Sequence, residues 1–558
     1  MTEQNMLVAT NLDLSYQGRL ILSTASIALQ AKRHAALIGP NRAGKTTLLR
    51  TIAGEIKPDA GQVSRTQGSD LSFVPQVVRI SHGQSVADFL ASSSPVLTAL
   101  ERESRALEME MASATDSHLP VVMAEYDRVR TEFEVRDGWS APDRLRRAKT
   151  ILAVDHIEIE RPLKFVSEGE RVRLALAAAY AQNPDFLLLD EPSAHLDAAG
   201  KDWLAKWLRE TRSGLLFATH DRWLIDAVGA EITFIDIETK TLGTFGGTYS
   251  EYRDFLGTER IRRVGEYQRY EENLNELKRV QSSSAMVVGH SRAIRDNDKA
   301  AYKGRGARVQ KAVSHRLRSA QEQIGRMLSE PVPQPAVEIK FTPQFDNTSV
   351  GDIPVLLAAA HLSLPVGLTK AVENLSFHVR PGDHVCFVGR NGSGKSSLLS
   401  LLAEGQNLSD GTLMFHPEVR LGYLSQHLDR YSEKETVVEL LRRRSKSMDI
   451  DWEIFFARLV TLGLVERDDL SRSVHSMSGG ERRQIEIGLL TSTPVDLLIL
   501  DEPTNFLAFD VLDRLENALA SFSGGIVSAS HDRWFLDRLP TEVINLEEFD
   551  FSVRGEES

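Results

Sequence analysis

Cysteine is almost absent from this chain. Its only thiol, Cys386, lies in the apolar run His384–Gly389. One cysteine excludes an intramolecular disulfide, a cysteine-held iron–sulfur cluster and a cysteine zinc site. A lone thiol in such a run is expected to be a buried core residue. Long apolar stretches are missing too. No run approaches the ~18–20 residues needed to cross a bilayer, so the chain by itself is not expected to form a membrane pathway. Met1-Thr-Glu-Gln-Asn-Met-Leu7 lacks the basic-then-apolar order of a secretory leader, and the expected location is the cytoplasm. Positive charge is in deficit. The 66 Lys and Arg against 78 Asp and Glu leave a net charge of -12, which argues against overall attraction to nucleic acid.

Apolar material is ample for sizeable cores: 42% of the 558 residues are hydrophobic. That length predicts about three domains. A repeat organises them. Gly39-Pro-Asn-Arg-Ala-Gly-Lys-Thr46 and Gly389-Arg-Asn-Gly-Ser-Gly-Lys-Ser396 are one motif, and Lys395 lies 350 residues after Lys45. Gln426 follows Gln76 by the same 350, whereas Asp501 follows Asp190, and His531 follows His220, by 311. Two constant offsets mean two homologous halves, the first carrying 350 − 311 = 39 extra residues between Gln76 and Ser167.

The predicted domains are 1–256, a linker at 257–337 and 338–558. The insert, placed at about 93–138, has apolar residues at helical spacing over Leu97–Met111 and Met123–Phe133, with a polar break at Thr115-Asp-Ser-His118. It reads as a helical arm on the first half. The linker has helical runs over Arg260–Val280 and Val309–Leu328 and closes on Pro331-Val-Pro-Gln-Pro335, a stiff extended spacer. Between its helices positive charge is in strong excess. Ala285–Arg318 holds nine Lys or Arg against Asp296 and Asp298. A solvated charge run is the bland reading of such a stretch. The one-signed excess at a hairpin tip in an acidic protein favours an electrostatic footprint for nucleic acid, with Arg292, Arg295, Lys299, Lys303, Arg305, Arg308 and Lys311 as candidate RNA contacts.

Each Gly-rich motif follows a short apolar strand, Ala35–Ile38 or Val385–Val388, and precedes a helical pattern. That is the context of a phosphate-binding P-loop, in which backbone N–H groups and a helix N-terminus hold the phosphates. The candidate ATP-binding residues are Gly39, Pro40, Asn41, Arg42, Ala43, Gly44, Lys45, Thr46 and Thr47, with Gly389, Arg390, Asn391, Gly392, Ser393, Gly394, Lys395, Ser396 and Ser397 in the second half. Lys45 and Lys395 are expected to reach the β- and γ-phosphates, and Thr46 and Ser396 to ligate Mg2+. Phe186-Leu-Leu-Leu-Asp-Glu191 and Leu497-Leu-Ile-Leu-Asp-Glu502 are continuous apolar runs ending in two acids, the pattern of a buried parallel strand with its acids at the ligand crevice. Asp190 and Asp501 are predicted Mg2+ ligands, and Glu191 and Glu502 the residues that polarise the attacking water.

With these motifs in order, the chain resembles the ATP-binding-cassette family: an α/β fold of two P-loop cassettes joined by a long α-helical hairpin linker, with a helical arm in the first. The resemblance implies roles for further residues. Gln76 and Gln426 match the glutamine that senses Mg2+ and the lytic water, and His220 and His531 match the switch histidine at the γ-phosphate. Ser478, Gly479 and Gly480 match the signature sequence, and Ser167 and Gly169 a weaker copy of it. Tyr16 stands where an adenine-stacking aromatic belongs. The two halves would pair head to tail within one monomer over two ATPs, each signature completing the other half's P-loop site.

Twin cassettes, the arm, the linker and Phe245-Gly-Gly-Thr-Tyr249-Ser-Glu-Tyr252 are similar to the ABC-F subfamily. Its members act on the ribosome, with the linker tip reaching toward P-site tRNA and rRNA. Some are translation factors and others dislodge antibiotics, and departures from the family consensus favour the second, as a specialised member. The ATPase subunit of a separate permease and a DNA-repair ATPase are the alternatives.

Four positions depart from the family pattern. Glu168 replaces a signature glycine, Val366 the second stacking aromatic, and Ala508 the Asp that Asp197 keeps in the first half. Arg42 replaces a P-loop glycine. These departures predict unequal sites: the one built from Lys45, Glu191 and Ser478 hydrolyses faster, and the one from Lys395, Glu502 and Ser167 holds ATP longer.

Overall fold

The structure is a computed structural model. It describes residues 5–552 apart from 17, 41, 82, 94, 114, 116–117, 289–314, 316–317, 336–344, 346–352, 367–369, 391, 405–409, 426–434, 448–450, 462–469, 478, 492–493, 506 and 508. Two compact units form: Met1–Tyr249 with Ile339–Ser558, and Ser250–Glu338. Both sequence halves therefore share the first unit.

The first half begins with β1 (Met6–Tyr16), β2 (Arg19–Gln30) and β3 (His34–Ile38), followed by β4 (Ala60–Arg65) and β5 (Leu71–Val74). After the inserted segment come β6 (Phe186–Asp190), β7 (Gly214–Ala218), β8 (Glu231–Asp236) and β9 (Thr241–Phe245). Strands β2-β1-β4 make an antiparallel sheet, and β5-β6-β7-β3-β8-β9 a second, parallel but for its β8–β9 edge. Every residue of β6 and β7 is buried, which explains why their sequences are continuous apolar runs rather than alternating ones.

Helix α1 (Lys45–Ile52) follows β3 through the P-loop. Gly44 caps it at φ 100°, where a Cβ would also come within 2.5 Å of Ile21. Only glycine meets both demands. Next come α2 (Val86–Ser93) and the inserted arm, α3 (Pro95–Ser113) and α4 (Leu119–Val135). The arm closes on its own small core of Leu97, Leu100, Val129 and Phe133, the residues that helical spacing placed on one face. Helices α5 (Ala141–Ile151), α6 (Glu168–Gln182), α7 (Ala198–Glu210) and α8 (Arg222–Val228) complete this half.

In the linker, α9 runs over Tyr249–Val288, extending beyond the predicted Arg260–Val280 at both ends. Residues 318–329 form α10. The proposed RNA contacts from Arg292 to Lys311 lie outside the described residues.

The second half repeats the plan with β10 (Leu357–Val366), β11 (Lys370–Val379), β12 (His384–Val388), β13 (Asp410–Phe415) and β14 (Leu421–Leu424). Its later strands are β15 (Leu497–Asp501), β16 (Gly525–Ala529), β17 (Glu542–Asn545) and β18 (Asp550–Ser552). Order β14-β15-β16-β12-β17 gives the parallel sheet, again with a fully buried acid-tipped strand, β15. Its helices are α11 (Lys395–Glu404), α12 (Val437–Ser447), α13 (Trp452–Thr461), α14 (Gly479–Leu490), α15 (Phe509–Ala520) and α16 (Arg533–Arg538). Cys386 is buried in β12, as its apolar context required. Among the described residues no helix is long and apolar enough to cross a membrane.

Candidate nucleotide sites

In the first half, the P-loop turns Lys45 back onto its own backbone. Its ammonium donates to the carbonyls of Gly39 at 2.7 Å and Pro40 at 3.3 Å and lies 3.0 Å from His220 Nε2. Burial, then the Lys45 charge, hold His220 well below its ordinary pKa, so the ring is neutral and Nε2 accepts. The Glu191 carboxylate accepts from the His220 backbone N–H at 3.0 Å, and its other oxygen lies 3.4 Å from Nε2. Burial pushes Glu191 up to about 8, with Lys45 opposing and Asp190 adding to the shift. Asp190 is raised by burial also, against a hydrogen bond from Thr46 and the Lys45 charge. Thr46, Gln76 and Asp190 line one cavity of about 470 Å3 together with Arg50 and Ser72.

The second half reproduces much of this. Lys395 donates to the carbonyls of Gly389 at 2.6 Å and Arg390 at 2.9 Å. Glu502 accepts from the His531 N–H at 3.3 Å and is pushed by burial up to about 7. Both glutamates sit in the left-handed region, Glu191 at φ 51° and Glu502 at φ 45°. Such conformations cost about 1–3 kcal/mol and cluster at functional sites. Each is held by its own N–H, bonded at 2.9 Å to Ala218 or Ala529 on the neighbouring strand.

Arg42 takes φ 64° where Gly392 has φ 81°. An arginine thus stands in the left-handed region that glycine occupies in the second half, a strained conformation for a residue with a Cβ. Its guanidinium meets Glu481 of α14, which brings the first P-loop to the second half's signature helix. Ser167 instead caps its own helix, α6, in a capping box with Glu170, and Glu168 is exposed at the first turn. Tyr16 is exposed at the end of β1. Pro40, Ala43, Thr47, Gly394, Ser396 and Ser397 lie in the two P-loop turns and first helical turns, and Gly479 and Gly480 open α14. Asn41, Asn391, Gln426, Ser478 and Ala508 lie outside the described residues.

Three groups went unread in the sequence. Arg483, buried in α14, donates to the carbonyls of Asp501 at 2.6 Å, Glu502 at 2.8 Å and Ser425 at 2.6 Å. It braces the acidic pair from beneath. The first half has Val172 at the equivalent place (483 − 311 = 172). Arg222 and Arg533, each just after a switch histidine, cross between the halves. Arg222 bonds Asp513 and Glu516 of α15, and Arg533 bonds Asp202 of α7 at 2.6 and 2.7 Å. The repeated His-Asp-Arg-Trp tetrapeptide was the available signal.

The sequence pattern of the family described as ABC transporter matches residues 22–194 and 372–505. A curated relative, the tylosin resistance ATP-binding protein TlrC of Streptomyces fradiae, is 34% identical over 96% of this chain and 96% of its own length. This chain belongs to the ATP-binding-cassette family, in its ABC-F subfamily. It is an ATP hydrolase, and its two halves are its two cassettes. The energy-dependent translational throttle protein EttA of Haemophilus influenzae is 28% identical over 94% of this cassette protein and 89% of its own chain. Among solved structures, the archaeal ribosome recycling factor aABCE1, in complex with the stalk protein aP1, superposes with a TM-score of 0.58 at 17% identity. The match covers 96% of this chain and 87% of that one. At that identity the likeness is one of fold.

Proposed function

We propose that this ABC-F protein binds the ribosome and uses ATP binding and hydrolysis to relieve inhibition by ribosome-targeting antibiotics. The end-to-end similarity to a tylosin resistance protein, at 34% identity, carries this reading. The basic stretch from Arg292 to Lys311 suits rRNA and tRNA phosphates. The second reading, a translation factor, draws on the similarity to the translational throttle protein. The two separate on growth. Expression in a susceptible host should raise tolerance to tylosin or to another macrolide, lincosamide, streptogramin, pleuromutilin or phenicol. Ribosome binding without any gain in tolerance favours the translation factor. No ATP-dependent cosedimentation of the Glu191→Gln/Glu502→Gln protein with ribosomes removes both.

Within each site the chemistry follows from positions. Lys45 and Lys395, now bonded to P-loop carbonyls, would exchange those acceptors for phosphate oxygens. Glu191 and Glu502, held against strand ends, would orient the water. Neutral His220 and His531 would meet the γ-phosphate. Asp190 Oδ2 is buried and makes no hydrogen bond among the described residues, and it shares a cavity with Thr46 and Gln76. That donor set fits Mg2+, which in such sites neutralises phosphate charge. Asp501, Ser396 and Gln426 are the counterparts.

The sites are unequal in this reading. Arg42 ties the first P-loop to the opposite signature helix, and Glu168 puts a carboxylate on the signature that faces the second. Single-turnover hydrolysis should therefore fall further in Glu191→Gln than in Glu502→Gln. Equal losses would sink the inequality.

A further inference from the structure

Helix α15 of the second cassette presents Phe509, Asp513 and Glu516 at spacings of four and three residues, which puts them on one face. All three touch the switch segment of the first cassette. The Phe509 ring lies 5.4 Å from the His220 ring and is backed by Tyr249 at 4.7 Å. Asp513 accepts from Arg222 Nη1 at 2.9 Å, and Glu516 accepts from both Arg222 nitrogens, Nη1 at 3.1 Å. Arg222 is buried and also lies 5.1 Å from the Trp534 ring centre. Burial opposes its charge, but Glu516, Asp532 and Asp513 outweigh burial and raise its pKa.

The symmetric contact is built from other groups: Lys201 Nζ of α7 donates to the His531 carbonyl at 3.3 Å and lies 3.2 Å from Asp221, and Arg533 stands 4.3 Å from the Trp223 ring centre. Subtracting 311 from 509, 513 and 516 gives Ala198, Asp202 and Ala205 on α7. Among the described residues Arg533 pairs with one carboxylate, Asp202, and it is 39% exposed against 1% for Arg222. Ala198 is exposed and offers no ring to His531.

We infer that the Phe509–Asp513–Glu516 face of α15 is a positioning element acting in trans, which holds His220 in place for hydrolysis at the first site through an aromatic ring and a buried arginine that α7 does not match at the second. An aromatic neighbour restricts the imidazole. A bidentate, buried arginine two residues away fixes the backbone that carries it. The inference rests on reading Lys45, Glu191 and His220 as one hydrolytic site.

Single-site backgrounds test it. In Glu502→Gln protein only the first site turns over, and in Glu191→Gln only the second. Phe509→Ala/Glu516→Ala gives α15 the residues that α7 carries. It should lower kcat about 10- to 100-fold in the Glu502→Gln background, with KM for ATP moving less than about threefold. The Glu191→Gln background should keep its rate. Ala198→Phe, which fills exposed space and removes no contact, should raise the second site's rate. Equal losses in both backgrounds would overturn the inference. So would a lower melting temperature with an unchanged first-site rate per folded molecule. Should the two parent backgrounds turn over equally, the unequal-site reading fails and this one stands, because each comparison is made within one background.

Discussion

Arg42 of the first P-loop pairs with Glu481 of the second cassette's signature helix, across a gap of 439 residues in sequence (481 − 42). Glu481 also accepts from Arg472 at 3.1 Å, so the pairing is a small charged cluster rather than a lone surface pair. Arg42 is half exposed and Glu481 nearly enclosed, at 52% and 12%. An ion pair of that exposure contributes about 0.5–1 kcal/mol. Arg42→Gly should relieve the left-handed strain and remove the pair. The half-saturating ATP concentration of the first site should rise about two- to fivefold. Glu481→Ala should do the same, and the double variant no more than either alone. Additive effects in that cycle would show that the two residues act separately.

His384 gives a pH dependence of known sign. It is buried on β12, bonded to Ser528 Oγ at 2.8 Å and packed on Phe535. Burial lowers its pKa from 6.5 to about 4. Between those values the unfolded chain binds a proton that the folded one refuses, so stability is full above pH 6.5 and drains as pH falls toward 4. Denaturant unfolding at pH 7.5 and 5.0 should differ by about 2 kcal/mol more in the parent than in His384→Gln. An identical pH dependence in the two proteins would remove His384 as the cause.

Arg483 satisfies three backbone carbonyls beneath the second acidic pair. Arg483→Ala strands buried acceptors and should cost about 3–5 kcal/mol in urea unfolding. Arg483→Lys, whose single ammonium cannot span the fork, should recover less than half. Turnover in the Glu191→Gln background should fall with both. Full recovery by lysine would mean that charge, rather than geometry, matters there.

The linker tip should reveal itself through salt. Replacing Arg292, Arg295 and Lys299 by alanine in the Glu191→Gln/Glu502→Gln protein should weaken ribosome cosedimentation. The slope of log affinity against log salt should flatten by about 2–3 for three lost phosphate contacts. An unchanged slope would leave those side chains off the phosphates.

Much of this protein is local and therefore legible in one dimension. A P-loop needs a strand, a Gly-rich turn and a helix start within some twenty residues, so Lys45 and Lys395 could be read directly. The acid-tipped strands β6 and β15 betray themselves because burial on both faces demands continuous apolar sequence. The arm core of Leu97, Leu100, Val129 and Phe133 follows from helical spacing. The difference between the offsets 350 and 311 located the arm's extra residues.

The pairing of partners from different cassettes was settled in three dimensions. Arg222 meets Glu516 at a separation of 294 residues, and nothing near either residue names the other. Whether an arginine is buried between three carboxylates or left beside one depends on which helix face docks against it. Arg42 shows both sides. Its sequence announced an arginine where glycine belongs. That its guanidinium would bridge to Glu481 follows only from how the two cassettes close on each other.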